Sequence, residues 1–370
     1  MRFNTFELER NMSIWEHKVD YNLSESGVHP LSIKQILTNE EFEELSNMEL
    51  YYPEANGSLE LRELVANFYP DTTPENVLIT NGSAEANFLC TMTVLETGDE
   101  LIYMVPNYLQ IGNLAESIGV EVKPIKLRPE FNWQIDLDEL NSLITSKTKM
   151  IAVCTPNNPT GAIMSAESMS EVRRIAEEYD LYLLSDEVYR GAELSGVESD
   201  SMYTGRQKDI INSGLSKAYR LPGLRLGWTV ADPSTIWDCW KLHDYTTIST
   251  GIVSDFIASR VLQPKRRKQL LGSTTDFLNE NLKILKNWIK GQEGLFTLIE
   301  PEAAAIAFPK YNLEIPSVDL IKKLRDKKSV LVMPGKWFGI DGHIRIGFGT
   351  PADYLKRGLG RMEELLLSLR

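Results

Sequence analysis

The sequence has few cysteines, and their spacing suits neither a disulfide framework nor a metal site. Its three cysteines are Cys90, Cys154 and Cys239, and no C-x-x-C pair occurs among them. An odd number of widely spaced cysteines predicts reduced, buried thiols. We therefore expect chemistry that does not depend on a bound metal ion.

Long apolar runs and an excess of basic residues are also missing. No stretch of about 18 apolar residues occurs, so no membrane span is predicted. The segment MRFNTFELERNM lacks the apolar core of a secretory signal, which makes the cytoplasm the expected location. Lysine and arginine number 39 against 52 acidic residues, and the net charge of −13 argues against a nucleic-acid partner.

What the sequence does contain is an alternation of apolar strands and amphipathic helices from residue 77 onwards. Strands are predicted at residues 77–79, 101–105, 121–127, 150–154, 182–184, 210–212 and 226–230. This alternation is typical of an α/β fold, with a mostly parallel seven-stranded sheet between helices. After about residue 270 the pattern becomes that of a smaller α+β unit. We predict a large domain at 46–265, a small C-terminal domain at 266–370, and an N-terminal arm at 1–45 that packs with the small domain.

Polar residues lie where several of these strands end, which is where ligands gather in parallel sheets. Lys217 has small and apolar neighbours that would help its amine lose a proton and form a Schiff base, although most lysines are solvated surface groups. The carboxylate of Asp186 could pair with a protonated ring nitrogen or could cap a helix. Asn158, in the turn TPNNPTG, could direct its amide at a ligand or could simply shape the turn.

Other candidates are suited to anions and flat rings. Residues 82–84 begin a helix whose free N–H groups would favour a phosphate, although a serine cap explains them equally well. Arg225 could clamp a phosphate, and Arg345 lies between isoleucines, where it needs a structural or a substrate carboxylate. Tyr108 could stack on a ring or pack as an ordinary aromatic. Together, these candidates make up the set that a pyridoxal 5′-phosphate (PLP) site requires.

Several motifs follow one another between residues 52 and 349: YPEANGSLELRE, NGSAEAN, VPNY, NNPTG, SDEVY, SGLSKAYRLPGLRLGW and IRIGFG. In order and spacing they resemble the class I/II aminotransferases, the aspartate-aminotransferase-like PLP enzymes of fold type I. The resemblance implies a PLP-dependent enzyme that acts on an amino acid and a 2-oxo acid. It also implies a homodimer with shared active sites.

The resemblance also implies a role for each matching residue. Lys217 would form the Schiff base and move the proton, and Asp186 would pair with the pyridine nitrogen. The remaining cofactor contacts would be Asn158 and Tyr189 at the 3′-oxygen, Tyr108 on the ring, Gly82, Ser83, Ala84, Ser216 and Arg225 at the phosphate, and Tyr52 at the phosphate of the other subunit. Arg345 would bind the substrate α-carboxylate, with Asn158 and Gly27 beside it.

The sequence departs from the family pattern in three places. Gly214 stands three residues before the lysine, where serine or threonine is frequent, so one phosphate contact is in doubt. The segment SESGVHPLS has one residue more between glycine and proline than the usual G-x-P. The segment NMSIWE resembles the N-terminal arm of capreomycidine-synthase-like PLP enzymes, which implies that Glu7, Glu16 and His29 contribute to the substrate pocket. An ordinary capped loop remains the alternative for His29.

Three functions follow as hypotheses. The first is transamination, in which an L-amino acid gives its amino group to a 2-oxo acid through Lys217. The second keeps the cofactor but makes the enzyme a cyclase, lyase or oxidase of an arginine-like amino acid bound by an acidic pocket. The third is a PLP-binding regulator without turnover, which the absence of a basic recognition helix in the first 50 or so residues disfavours.

Overall fold

The computed structural model describes residues 3–369 and divides them into one large sheet, three small sheets and the helices around them. The strands are β1 (Tyr21–Asn22), β2 (Val77–Thr80), β3 (Glu100–Val105), β4 (Glu121–Arg128), β5 (Gln134–Ile135), β6 (Thr148–Cys154), β7 (Tyr182–Asp186), β8 (Asp209–Gly214), β9 (Gly227–Ala231), β10 (Phe296–Thr297), β11 (Ile306–Ala307), β12 (Lys310–Tyr311), β13 (Val330–Leu331), β14 (Met333–Pro334) and β15 (Ile344–Gly347).

The α-helices cover the faces and the edges of these sheets. They are α1 (Glu7–Trp15), α2 (Ile33–Ile36), α3 (Asn39–Ser46), α4 (Leu59–Ala66), α5 (Ser83–Val94), α6 (Gln110–Ser117), α7 (Leu137–Leu143), α8 (Ala166–Glu178), α9 (Pro233–His243), α10 (Ile252–Val261), α11 (Pro264–Gly291), α12 (Ser317–Lys328) and α13 (Ala352–Leu367). None of the helices within residues 3–369 combines the length and the apolar character needed to cross a membrane.

The large sheet has the strand order β2-β9-β8-β7-β6-β3-β4-β5. Its central strands β8, β7, β6, β3 and β4 run parallel, and β9 runs antiparallel to both of its neighbours. The predicted α/β class and mostly parallel sheet are therefore confirmed, but the sheet has eight strands and not the predicted seven. The two-residue strand β5, which the sequence did not indicate, adds an antiparallel edge.

The core of this sheet forms two apolar layers, because successive strand residues point to opposite faces. Leu78, Leu101 and Met150 belong to one layer, and their chain neighbours, such as Ile79 and Ile102, belong to the other. Strands covered on both faces are continuously apolar, which is why the sequence predicted them well. All three cysteines are buried and free, as expected.

The N-terminal arm returns to the C-terminal unit through a parallel pairing of β1 with β13, with Tyr21 opposite Val330. Beside it, β15 lies between β11 and β14 and carries the motif IRIGFG. The pairing brings residues 21–22 of the arm next to residues 330–331. The domain boundary at 265/266 falls in the first turn of α11, and the division into domains stays a prediction.

Candidate active site

A cavity of about 330 Å³ opens at the carboxyl ends of β6, β7 and β8, next to the first turn of α5. Helix α1 and the segment before Gly27 cover it. The residues that line it are Leu8, Glu9, Met12, Glu16, Glu25, Ser26, Ser83, Ala84, Asn87, Tyr108, Gln110, Cys154, Asn158, Asp186, Val188, Tyr189, Ser216, Lys217, Pro222, Arg225 and Arg345. Its volume is that of an ordinary cofactor or ligand site.

Lys217 lies three residues beyond the end of β8, and its amine forms an ion pair inside the cavity. Its Nζ donates to Oε1 of Glu25 at 3.0 Å. Burial opposes the charge on Lys217, but Glu25 and Tyr189 outweigh burial, so the pKa of the lysine is raised. The expectation that this amine readily loses its proton is therefore corrected. The reason is a carboxylate more than 190 residues earlier in the chain, which local sequence does not reveal.

Asp186 is the last residue of β7, and both of its carboxylate oxygens accept hydrogen bonds. Oδ1 accepts from the amide of Val188 at 3.1 Å, and Oδ2 accepts from Nδ2 of Asn87 at 2.9 Å. Burial raises the pKa of Asp186, and these two bonds act against that rise. Asn87 is itself held by Nδ2 of Asn212, so a buried polar chain begins at the carboxylate.

The anion cradle is formed where α5 meets the loop after β8. Gly82 precedes α5 with φ at +85°, and no side chain caps the first turn of the helix. A Cβ atom on Gly82 would lie 2.6 Å from Nη2 of Arg225, so the guanidinium directly covers this glycine. Nη1 of Arg225 donates to Oγ of Ser216 at 3.4 Å. A guanidinium, a hydroxyl and free helix N–H groups thus converge on one space.

Arg345 is 1% exposed, and uncharged oxygens are its hydrogen-bond partners. Its Nη1 donates to Oδ1 of Asn158 at 2.8 Å, and its Nη2 donates to the carbonyl of Ser24 at 2.6 Å. Its Nε has no hydrogen-bond partner in the part of the chain that the structure describes. Burial lowers the pKa of Arg345. Among residues 3–369, its hydrogen-bond partners are thus an amide oxygen and a carbonyl rather than a structural carboxylate, which is the first of the two anion partners considered for it.

Two further predicted residues line the same space. Tyr189 is buried, and its hydroxyl donates to Oγ of Ser26 at 2.9 Å. Tyr108 lies against Phe6, with ring centroids 5.0 Å apart, and its hydroxyl donates to Oε1 of Glu9 at 2.8 Å. The side-chain oxygen of Asn158 accepts from Arg345, so its amide N–H groups are not used in this contact.

Five predicted residues lie outside the cavity lining, one of which is Gly82 at the start of the anion cradle. Glu7 belongs to another side of α1, and the side chain of His29 is exposed. The backbone of His29 is fixed instead, since its N–H donates to the carbonyl of Gly349. Gly27 is buried behind the lysine, where an added Cβ atom would lie 3.5 Å from Cδ of Lys217. Tyr52 is 83% exposed on the surface of this chain.

The departure at Gly214 has a local cause. Gly214 lies opposite Gly227 in the β8–β9 pair, and a Cβ atom there would lie 2.9 Å from the carbonyl oxygen of Leu226. Gly227 is equally crowded, with a Cβ position 2.4 Å from the amide nitrogen of Ser83. The two glycines therefore let β9 and the start of α5 approach closely.

Several lining residues were not predicted, namely Glu9, Glu25, Ser26, Asn87 and Gln110. Two of them had a signal in the sequence. Glu9 and Glu16 are seven residues apart, which places them on one face of a helix. Asn87 follows Ser83 by four residues and so lies on the same face of α5 as the anion cradle. No group of His, Cys, Asp and Glu in residues 3–369 is arranged to hold a metal ion.

Fold and site together define a class of protein. The family model for aminotransferase class I and II matches residues 21–362. The chain belongs to this family, as its motifs predicted.

Individual relatives agree with this assignment. An aspartate aminotransferase of Pyrococcus horikoshii is 33% identical over 331 residues, which cover 85% of this chain and 83% of that protein. Capreomycidine synthase of Streptomyces vinaceus is 30% identical over 294 residues, covering 78% and 74%. The crystal structure of a PLP-dependent aminotransferase from Streptococcus suis superposes with a TM-score of 0.93 at 31% identity, covering 100% of this chain and 99% of that one.

Proposed function

We propose that this enzyme is a PLP-dependent aminotransferase that moves the amino group of an L-amino acid to a 2-oxo acid, with Lys217 as the residue that binds the cofactor covalently. The observation that carries the proposal is the convergence of Lys217, Asp186 and Arg345 in one cavity. An amine, a carboxylate and a guanidinium are there brought together from β8, β7 and β15.

The residues present fit PLP. The free N–H groups of residues 83–84, with Ser216 and Arg225, would hold its phosphate. The buried carboxylate of Asp186 would pair with the pyridine nitrogen, Asn158 and Tyr189 would reach the 3′-oxygen, and Tyr108 would contact the ring. When bound, PLP supplies the electron sink that stabilises negative charge at the substrate Cα.

The remaining work belongs to side chains of this chain. Arg345, with Nε available, would orient the substrate α-carboxylate through paired N–H donors. Nζ of Lys217 would hold and move the proton, and acid–base work of this kind typically contributes about 10²–10⁴-fold to the rate. Helix α1 contributes Leu8 and Met12 to the cavity wall, and these side chains would keep water away.

We propose in addition that the enzyme is a homodimer in which Tyr52 reaches the phosphate of the other subunit. Exposed apolar side chains in two segments support this: Leu50, Tyr51, Tyr52, Tyr245 and Ile248 are each more than half exposed. The loop that carries Tyr245 is tied to the start of α5, because Thr246 and Thr247 both donate to Oε1 of Glu85. Exposed apolar patches of this kind mark interfaces.

A hybrid dimer tests the shared site. Lys217→Ala and Tyr52→Phe protomers would be combined, and PLP binding would be measured. If Tyr52 acts on the other subunit, one site of the hybrid has both native residues and binds PLP with wild-type affinity. If the hybrid binds only as weakly as the Tyr52→Phe homodimer, the shared site is refuted.

A second candidate function is a cyclase, lyase or oxidase acting on an arginine-like amino acid. The observation that favours it is the acidic cavity wall, where Glu9, Glu16 and Glu25 all contribute. These carboxylates would suit a cationic substrate side chain and would repel a second carboxylate. The similarity to capreomycidine synthase also favours this second function.

One single-turnover experiment separates the two functions. The purified enzyme would be mixed with each of the twenty amino acids, and with arginine derivatives, without any 2-oxo acid. Transamination predicts one equivalent of product 2-oxo acid per site, with dissolved oxygen constant. Oxygen uptake, ammonia release or repeated turnover would instead establish the second function. A protein with no absorbance from bound PLP, even after PLP is added, would refute both.

A further inference from the structure

Three consecutive residues, Ser24, Glu25 and Ser26, contact three different functional groups of the cavity. We call residues 24–26 the strap. The carbonyl of Ser24 accepts from Arg345, the carboxylate of Glu25 accepts from Lys217, and the hydroxyl of Ser26 accepts from Tyr189. The strap therefore contacts every group that is proposed to handle the substrate carboxylate or the proton.

The strap is held firmly at both of its ends. On one side, the amide of Leu23 donates to the carbonyl of Leu331, and the amide of Gly347 donates to the carbonyl of Leu23. On the other side, a Cβ atom on Gly349 would lie 2.2 Å from the carbonyl oxygen of Gly27. The backbone of the strap thus rests directly on the glycines of IRIGFG, which fixes the position from which the side chain of Glu25 extends.

Glu25 is also anchored within the strap. Its Oε1 accepts from the amides of Ser26 and Gly27 at 2.9 and 2.8 Å, in addition to the amine of Lys217. Lys217 is the largest cause that holds the pKa of Glu25 at about 2, so the carboxylate is ionised at neutral pH. An anion with a fixed position therefore lies 3.0 Å from Nζ of Lys217.

We propose that Glu25 is a positioning residue that holds and orients the free amine of Lys217 as an ion pair. This inference rests on the proposed function, because it concerns the lysine that would bind the cofactor. Charged or titratable groups face Lys217 from each neighbouring element: Glu25 from the strap, Asp186 and Tyr189 from the end of β7, and Arg345 from β15. Of these, Glu25 alone forms a salt bridge with Nζ among the described residues.

The pair has a consequence for the chemistry of the amine. Arg345 and burial both favour the neutral lysine, and Glu25 is the largest contributor that opposes them, followed by Tyr189. Loss of the Glu25 charge would therefore shift Lys217 towards the neutral form, whereas a shorter carboxylate at the same position would preserve part of the effect. A group that was merely structural would not move this equilibrium.

The test is competitive chemical labelling of lysine across a pH range, on the full-length protein freed of cofactor, with the Lys217 peptide followed by mass spectrometry. Glu25→Gln is expected to lower the apparent pKa of Lys217 by at least about one pH unit, which is a tenfold larger reactive fraction at a given pH. In Glu25→Asp, the apparent pKa of Lys217 is expected to lie between those of the wild type and Glu25→Gln. Glu16→Gln, which removes a cavity carboxylate without contact to Lys217, is expected to have the smaller effect.

The same variants would be examined with PLP bound, by titrating the pH dependence of its visible absorbance. Glu25→Gln is expected to shift that midpoint downwards too, and Glu25→Asp is expected to restore it in part. An unchanged Lys217 titration in Glu25→Gln, or an equal change in Glu16→Gln, would overturn the inference. Failure of the proposed function would look different. PLP would then not bind, whereas the labelling of Lys217 in the cofactor-free protein would still differ between the wild type and Glu25→Gln.

Discussion

Asn87 offers a sharp test of how hydrogen bonding opposes the rise that burial causes in the pKa of Asp186. Its Nδ2 donates to Oδ2 of Asp186 at 2.9 Å, in a buried position. Its Oδ1 accepts from Nδ2 of Asn212 at 2.9 Å, and Oδ1 of Asn212 accepts from Thr229 at 2.8 Å. The change Asn87→Leu keeps the size of the side chain and removes the donor.

The expected magnitude follows from the kind of bond that is lost. A hydrogen bond to a charged group contributes about 1.5–3 kcal/mol, which corresponds to a rise of about 1–2 in the pKa of Asp186. That pKa is already raised by burial, so less of the carboxylate would be ionised and able to pair with the pyridine nitrogen. We therefore expect the dissociation constant for PLP to rise, by at most about 10–100-fold and most strongly at low pH.

The assay is equilibrium titration of the cofactor-free protein with PLP, which does not depend on turnover. Asn212→Leu is the matched control, because it also removes a buried hydrogen bond but leaves the Asn87–Asp186 contact in place. Both variants should lose stability, by about 1–3 kcal/mol. PLP binding in Asn87→Leu that equals the wild type, or an equal loss in both variants, would refute the reasoning.

Three further predictions concern stability, the substrate and the phosphate. Burial raises the pKa of Glu187 to about 7 from its usual 4.5, so the folded state holds this proton more tightly and loses about 3 kcal/mol as the pH rises between those values. Glu187→Gln should therefore be more stable than the wild type at pH 8 but not below about pH 4.5. Urea unfolding at the two pH values measures this, and a difference in the free energy of unfolding that is independent of pH would contradict it. Arg345→Lys should weaken amino-acid binding by about 10²-fold, seen as a higher KM, because lysine cannot pair with a carboxylate through two N–H groups; an unchanged KM would remove Arg345 from the substrate site. Gly227→Ala should weaken the binding of both PLP and inorganic phosphate, since its Cβ atom would collide with the amide of Ser83. Equilibrium dialysis measures both affinities, and normal phosphate binding would show that the crowding is relieved elsewhere.

Much of the large sheet could be predicted from the sequence, because buried parallel strands are short, continuous apolar runs between amphipathic helices. All seven predicted strands are present at or close to their predicted bounds. Strand β5 was missed, since a two-residue edge strand has no periodicity to detect. The strand order, with β9 antiparallel between β2 and β8, likewise has no local signature.

Most residues predicted to contact the cofactor line the cavity, whereas several of those predicted to contact the substrate do not. Ser83, Asp186 and Lys217 each follow a recognisable strand, so the rule that ligands gather at strand ends located them. On α1, Glu7 and Glu16 were selected by type, yet residues nine apart lie about 180° from each other around a helix. Helical periodicity would have selected Glu9 with Glu16, which is the pair that lines the cavity.

The sequence by itself determined the α/β class, the family and the order of the residues along the chain that face the proposed cofactor, because each of these depends on short segments whose residues are close in the chain. Only the tertiary structure decided which partners surround the charged groups of the cavity. The partner of Lys217 comes from a strap 192 residues earlier, and that of Arg345 from a carbonyl 321 residues earlier. Electrostatic interactions act through space over a few ångströms, so the charge of a buried lysine depends on neighbours that folding supplies.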